Sequence, residues 1–136
     1  MSIVDDLEIT YPGAIAWSFG DTPEMADELA ELVAKGIKTA SCSSLSSFKH
    51  EDKSPTIGGY SIILNSKDEP VCVVRVISMR IIRYCDVDQD LARKEGEGDL
   101  SLSYWMQGHK DFFQREGSFD ESMELVVEEF DLVEVL

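Results

Sequence analysis

Apolar residues recur at helical spacing in one early stretch, where Ala26, Leu29, Ala30 and Val33 fall at i, i+3, i+4 and i+7 and form a single stripe. Thr22 stands ahead of the stripe as a cap and Pro23 suits the first helical position. Glu24 and Glu28 favour the positive end of the dipole, and Gly36 closes the far end. The spacing predicts a helix over 22–36 that packs one face on a core and delivers the segment after it. From Ile37 to Ser43 the pattern weakens to an alternation, which predicts a strand. Ile37, Thr39 and Ser41 would share one face of it, and Lys38, Ala40 and Cys42 the other. The polar run 44–58, with Pro55 and Gly58 near its end, reads as a long loop.

Two β-favouring runs follow, "YSIILN" and "PVCVVRVISMRII", separated by the turn-like "SKDE"; together they predict a hairpin. The second run is almost continuously apolar, as in a strand buried on both faces or curling within a barrel. Arg75 interrupts it and must reach a carboxylate, a ligand or solvent, because a buried unpaired guanidinium costs several kcal/mol. A short helical turn over 87–94 then breaks at Gly96 and Gly98. A second helix follows, capped by Asp99 or Ser101, with Leu102, Trp105, His109 and Phe112 or Phe113 on one side and Tyr104 adjacent. The final stretch, "MELVVEEFDLVEVL", fits a strand, with a helix as its competitor because glutamate is frequent. No βαβ repetition appears. The fold class is α+β: a small mixed or antiparallel β-barrel flanked by helices, one domain over 1–136 with residues 1–16 at its periphery.

Composition narrows the partners. Lys and Arg number 12 against 27 Asp and Glu, a formal charge of −15 that repels phosphate backbones at long range. Long duplex DNA is disfavoured as a partner on that ground, a local basic pocket stays possible, and oligomeric state is left open. Cys42, Cys72 and Cys85 are odd in number and widely spaced, which argues against a zinc site or a disulfide framework. The acidic opening "MSIVDDLEIT" lacks the pattern of a signal peptide, and no apolar run reaches the ~20 residues that span a bilayer. A reduced, cytoplasmic setting without membrane contact is the expectation.

Chemistry is sparse. No phosphate-binding glycine signature, HExxH or GxSxG occurs, and His50 and His109 lack metal-ligand spacing, so no metal or cofactor is expected. His109, on an aromatic helix face, reads as a packed histidine. What remains is Lys38 among hydroxyls, in "KGIKTASCSS", and the acidic, glycine-broken segment holding Glu95, Glu97 and Asp99. Lys38 is either a solvated charge, an anchor for an anion, or, if desolvated, a base toward a neighbouring hydroxyl.

These stretches, taken in order, resemble a family. "FGDTPEMADELAELVAKGIKTASCSS", "IGGYSIILNSKDEPVCVVRV", "EGEGDLSLSYWMQGHKDFFQRE" and "LVVEEFDLVEV" are similar to the ASCH-domain proteins over about residues 17–135. The resemblance implies the barrel fold of the PUA superfamily, with a cleft beside it. It also implies functions that differ by branch. One branch hydrolyses the amide of N4-acetylcytidine with a lysine, a threonine three residues later and a glutamate; another cleaves single-stranded RNA. Mapped here, the first branch's residues fall on Lys38, on Ser41 in place of threonine, and on Glu95 with Glu97 as near competitor. Deprotonated Lys38 would then activate Ser41 or a water, and Glu95 would orient the lysine or protonate the leaving amine. Thr39, Arg75, Glu97 and Tyr104 complete the expected substrate-binding set. The rival expectations are a non-catalytic nucleoside- or RNA-binding or regulatory module, and a single-strand ribonuclease. A flat strand would send Lys38 and Ser41 to opposite faces, so any pairing requires a bend between them.

Overall fold

A computed structural model of the chain describes residues 3–136. Its frame is a five-stranded sheet of order β1-β3-β4-β5-β2, comprising β1 (Ile15–Trp17), β2 (Ala40–Ser44), β3 (Tyr60–Leu64), β4 (Pro70–Arg83) and β5 (Glu124–Val135). Only β1 and β3 run parallel; every other pair is antiparallel. β1 and β2 form the two free edges, so the sheet curls into a half-barrel. The long pair β4–β5 carries register shifts at Val73/Val74 and Val76/Ser78. Such bulges sharpen local twist, which lets long strands curl.

The helix foreseen at 22–36 is α2 (Pro23–Ala34), preceded by the short α1 (Ile3–Thr10). Thr22 caps α2 by accepting from the Met25 amide, and Ala26, Leu29, Ala30 and Val33 are its buried stripe. Leu29, Ala30 and Val33 pack with Phe19, Ile63, Cys72, Val74 and Phe130 against one face of the sheet. On the other face Ala40, Leu125 and Val127 meet Tyr84, Leu91, Trp105 and Phe113, from the 3-10 turn at Tyr84–Asp86 and the helices after it. Leu7 of α1 fills a third cluster with Ile62 and Val73.

Two local readings change and a third holds. The expected loop at 44–58 begins with a short helix, α3 (Leu45–Lys49), because Ser44 accepts from the Ser47 amide as its cap. The strand expected from Ile37 starts only at Ala40. Its first residues wrap the end of α2 instead, where the Ile37 and Lys38 amides both donate to the Leu32 carbonyl. The C-terminal segment is a strand, as favoured over a helix, because it lies between β4 and β2 and both neighbours supply its backbone hydrogen bonds. α4 (Gln89–Glu95) is capped by Asp88, and α5 (Leu102–Glu116) by Ser101, whose hydroxyl accepts from the Tyr104 amide.

One glycine fixes where α4 stops. Gly96 has φ +74, and a Cβ there would lie 2.7 Å from the Ile37 carbonyl oxygen. Gly96→Ala is expected to cost about 2 kcal/mol or more through left-handed strain and backbone collision. Urea denaturation reads this directly; a cost below about 0.5 kcal/mol would show that the 37–39 turn does not press on α4.

Candidate active site

Lys38 lies in the turn between α2 and β2, and its side chain is 2% exposed. The adjacent Thr39 amide donates to the Lys94 carbonyl at 2.7 Å, which ties this turn to the last turn of α4. That tie brings Glu95, 1% exposed, against the lysine. The Lys38 ammonium donates to Glu95 Oε1 at 3.2 Å, to the Glu95 carbonyl at 3.3 Å and to Glu97 Oε2 at 3.4 Å. It also lies 5.3 Å from the centre of the Phe19 ring.

Glu95 is the hub. Its Oε1 also accepts from the Cys42 backbone amide at 3.0 Å, on the free edge of β2, where no neighbouring strand supplies an acceptor. Its Oε2 accepts from the Trp105 indole N–H and lies 2.9 Å from His109 Nε2. Trp105 and His109, one turn apart on α5, stack with ring centres 4.0 Å apart, and His109 Nδ1 faces the Trp105 carbonyl at 3.0 Å. Each lone pair of the buried carboxylate is thus met by a donor, which is what keeps a charge stable out of water.

The charge states follow. Burial works against ionised Lys38, but Glu95 and Glu97 outweigh it and hold the amine above its ordinary value. Burial likewise opposes ionised Glu95, yet Lys38, His109 and the Trp105 hydrogen bond bring its carboxyl down to about 2. For His109, burial is overcome by Glu95, and the imidazole is raised. The resting site is therefore an ammonium–carboxylate pair flanked by an imidazole that favours its proton. Glu95, Glu97 and His109 set their donor atoms within 4.8 Å of one another, and the Lys38 ammonium bonds both carboxylates, supplying the positive charge they face.

These groups open onto a cavity of about 310 Å³ between α2 and α5, lined also by Ser41, Cys42, Tyr104, Phe112 and Arg115. Burial pushes the Cys42 thiol well up, away from thiolate chemistry. Arg115 donates to Asp21 at 2.9 Å, joining α5 to the segment before α2.

Of the residues expected from sequence, Lys38, Ser41, Glu95, Glu97 and Tyr104 line this one cavity. Lys38 and Ser41 come together because the lysine precedes the strand rather than lying in it. No hydrogen bond joins them: Ser41 is opposite Glu128 in the β2–β5 register, so its side chain shares Glu128's face of the sheet. Arg75 lies outside the cavity lining. It is exposed, donates to the Gly58 carbonyl at 3.1 Å and lies over the Tyr60 ring, because β4 buries Val74 and Val76 on one face and turns Arg75 out from the other. Thr39 is likewise outside the lining: its hydroxyl donates to the Lys94 carbonyl at 3.3 Å and ties down the turn. Sequence reasoning passed over His109 and Trp105 as polar partners. The signal was their i, i+4 spacing beside an acidic segment that had to bury a carboxylate.

The ASCH domain family model matches residues 15–134, nearly the whole sheet and all the residues of this site. The chain belongs to the ASCH domain family. Two solved structures support the assignment. An ASCH domain from Lactobacillus crispatus is 32% identical, with 97% of this chain and 86% of that one covered and a TM-score of 0.83. A protein from Enterococcus faecalis is 35% identical, covering 88% of this chain and 76% of its own, at TM-score 0.79. An ASCH protein from Zymomonas mobilis shares the fold at TM-score 0.56 with 12% identity, over 87% of this chain and 65% of its own. No functionally curated protein matches this ASCH domain.

Proposed function

We propose that this ASCH domain binds a nucleoside in the cleft between α2 and α5 and hydrolyses an exocyclic amide on its base, as in N4-acetylcytidine. The observation that carries the reading is the buried Lys38–Glu95 pair opening onto one cavity of about 310 Å³ that Ser41, Tyr104 and Trp105 also line. That volume falls at the lower end of small-ligand sites. Tyr104, half-exposed at the rim, offers a face on which a base can stack.

In this reading the roles follow from the charge states. Lys38, held as an ammonium, stabilises the oxyanion that develops as the acyl carbonyl is attacked, and a fixed charge in a water-poor cleft does so without reorganising. Glu95 fixes the lysine from beneath, and Glu97, partly exposed, is placed to accept from the amine side of the base. Ser41 supplies the attacking hydroxyl. Recognition of a free nucleoside also suits the −15 charge better than a grip on an RNA backbone.

The test is incubation with N4-acetylcytidine and related N-acyl nucleosides, with chromatography of the products. Turnover is expected in the wild type, reduced by at least about 100-fold in Lys38→Ala and unchanged in Lys49→Ala, an exposed control on α3. Micromolar nucleoside binding without turnover would replace hydrolysis by a binding role, and Lys38-dependent cleavage of single-stranded RNA would replace it by nuclease activity.

A further inference from the structure

A second cavity, of about 370 Å³, lies across Ser41 from the Lys38 cleft, in the gap where the half-barrel fails to close. Its walls are the free edges of β1 and β2 together with Phe48 and Pro55, and Glu128 of β5 lies among its lining residues. Ser41 lines both cavities, so its residue is the partition between them.

Glu128 is 6% exposed, yet no hydrogen bond or ion pair within the described residues engages its carboxyl. Among the described residues the other buried charged side chains have such partners: Lys38 has three and Glu95 four. Ser41 and Glu128 are directly opposed across the β2–β5 ladder, which sets their Cβ atoms about 5 Å apart on one face. The Ser41 hydroxyl likewise has no partner among the described residues. A carboxyl and a hydroxyl, side by side and both unengaged, face one solvent-sized space.

We propose that Glu128 is the general base for Ser41, approaching it from the second cavity while the Lys38 ammonium faces the substrate from the first. This rests on the hydrolase reading and supplies the base that the charged Lys38 does not. Glu128 carboxylate takes the Ser41 proton as Oγ bonds to the acyl carbon, and the carbonyl electron pair moves to oxygen beside Lys38. Collapse breaks the C–N bond, and the proton on Glu128 goes to the departing amine. A water from the second cavity then attacks the acyl-serine and gives its proton to Glu128. Breaking the C–Oγ bond returns that proton to Ser41 and releases the acid.

The ionisation of Glu128 suits the role. Burial pushes its carboxyl up, Glu51 pushes the same way and Lys38 opposes them, with the result at about 7. Glu8 and Lys53 are the other charged residues around this cavity. A base poised near neutrality both carries its charge and accepts a proton readily.

The test labels Ser41 with a small fluorophosphonate, which bonds to an activated serine and releases fluoride, and follows the labelled peptide by mass spectrometry. Labelling of Ser41 is expected to rise through about pH 7 and to fall at least 100-fold in Glu128→Gln, whose melting temperature confirms the fold. Equal labelling in Glu128→Gln, or a wild-type Ser41 that labels no faster than the other serines, overturns the proposal. The two readings separate cleanly. Acyl-nucleoside turnover that survives Glu128→Gln removes Glu128 and keeps the hydrolase; Glu128-dependent labelling without turnover keeps the Ser41–Glu128 pair and removes the substrate.

Discussion

Glu95→Ala is expected to destabilise the fold by about 3–5 kcal/mol, the cost of removing one partner of a buried charge pair. The truncation leaves the Lys38 ammonium, 2% exposed, with Glu97 as its remaining carboxylate at 3.4 Å. It also removes the acceptor from the Trp105 indole and the Cys42 amide, and the anion that holds the proton on His109. Glu95→Gln keeps the shape and one carbonyl acceptor, so its cost is expected to be smaller, about 2 kcal/mol. The double change Lys38→Met with Glu95→Leu is expected to recover most of the stability lost in Glu95→Ala, since apolar pairs of similar volume replace buried ion pairs without penalty. Urea denaturation of the three variants decides it. If Glu95→Ala costs under about 1 kcal/mol, the pair is solvated in solution and the cleft is not the low-dielectric site that oxyanion stabilisation requires.

The frame of the fold was legible in sequence because its signals were local. Thr22-Pro23 with the stripe from Ala26 to Val33 states a helix and its orientation in one stretch. The hairpin β3–β4 is announced by two β-branched runs around an Asn65 turn, in which the Asn65 side chain accepts from the Lys67 and Glu69 amides. The place of Arg75 was not legible because an unbroken apolar run looks alike whether a strand is buried on two faces or curls at one; the outcome depends on what packs against it. The site was only partly visible for the same reason. Lys38 and Glu95 are 57 residues apart in sequence, and their meeting depends on the Thr39–Lys94 backbone bond and the space left by Gly96. Neither leaves a pattern in composition or spacing. His109 looked like core because it shares a helix face with Trp105 and Phe113, yet its ring edge completes a carboxylate's hydrogen bonds. The pairing of Ser41 with Glu128 needs the β2–β5 register, which one sequence does not supply.

Stability is expected to be greatest near pH 5 and to fall toward pH 8, an acid-shifted optimum set by three buried groups. Glu95 has its folded value lowered to about 2 from an ordinary 4.5, so its contribution is present above about 4.5 and is lost as the pH falls toward 2. His109 is raised above 6.5, so its contribution is full below 6.5 and is lost as the pH climbs through the folded value. Glu128 is raised to about 7 from 4.5; the fold favours its protonated form, and stability drains away as it ionises between those values. For Glu128 the change corresponds to roughly 3 kcal/mol across that window. Repulsion among the acidic surface residues acts in the same direction, but salt at about 0.5 M screens it and leaves the buried groups largely untouched. In such salt, the urea midpoint of the wild type is expected to drop between pH 5 and pH 8, and Glu128→Gln to flatten most of that slope. A wild-type midpoint that holds or rises over this range would mean that Glu128 ionises freely in the fold. The stability loss is expected to level off near the pH at which Ser41 labelling sets in, since both mark the ionisation of folded Glu128. The ionisation that makes Glu128 a base is the one the fold resists, and its cost is the kind of local destabilisation that active sites carry.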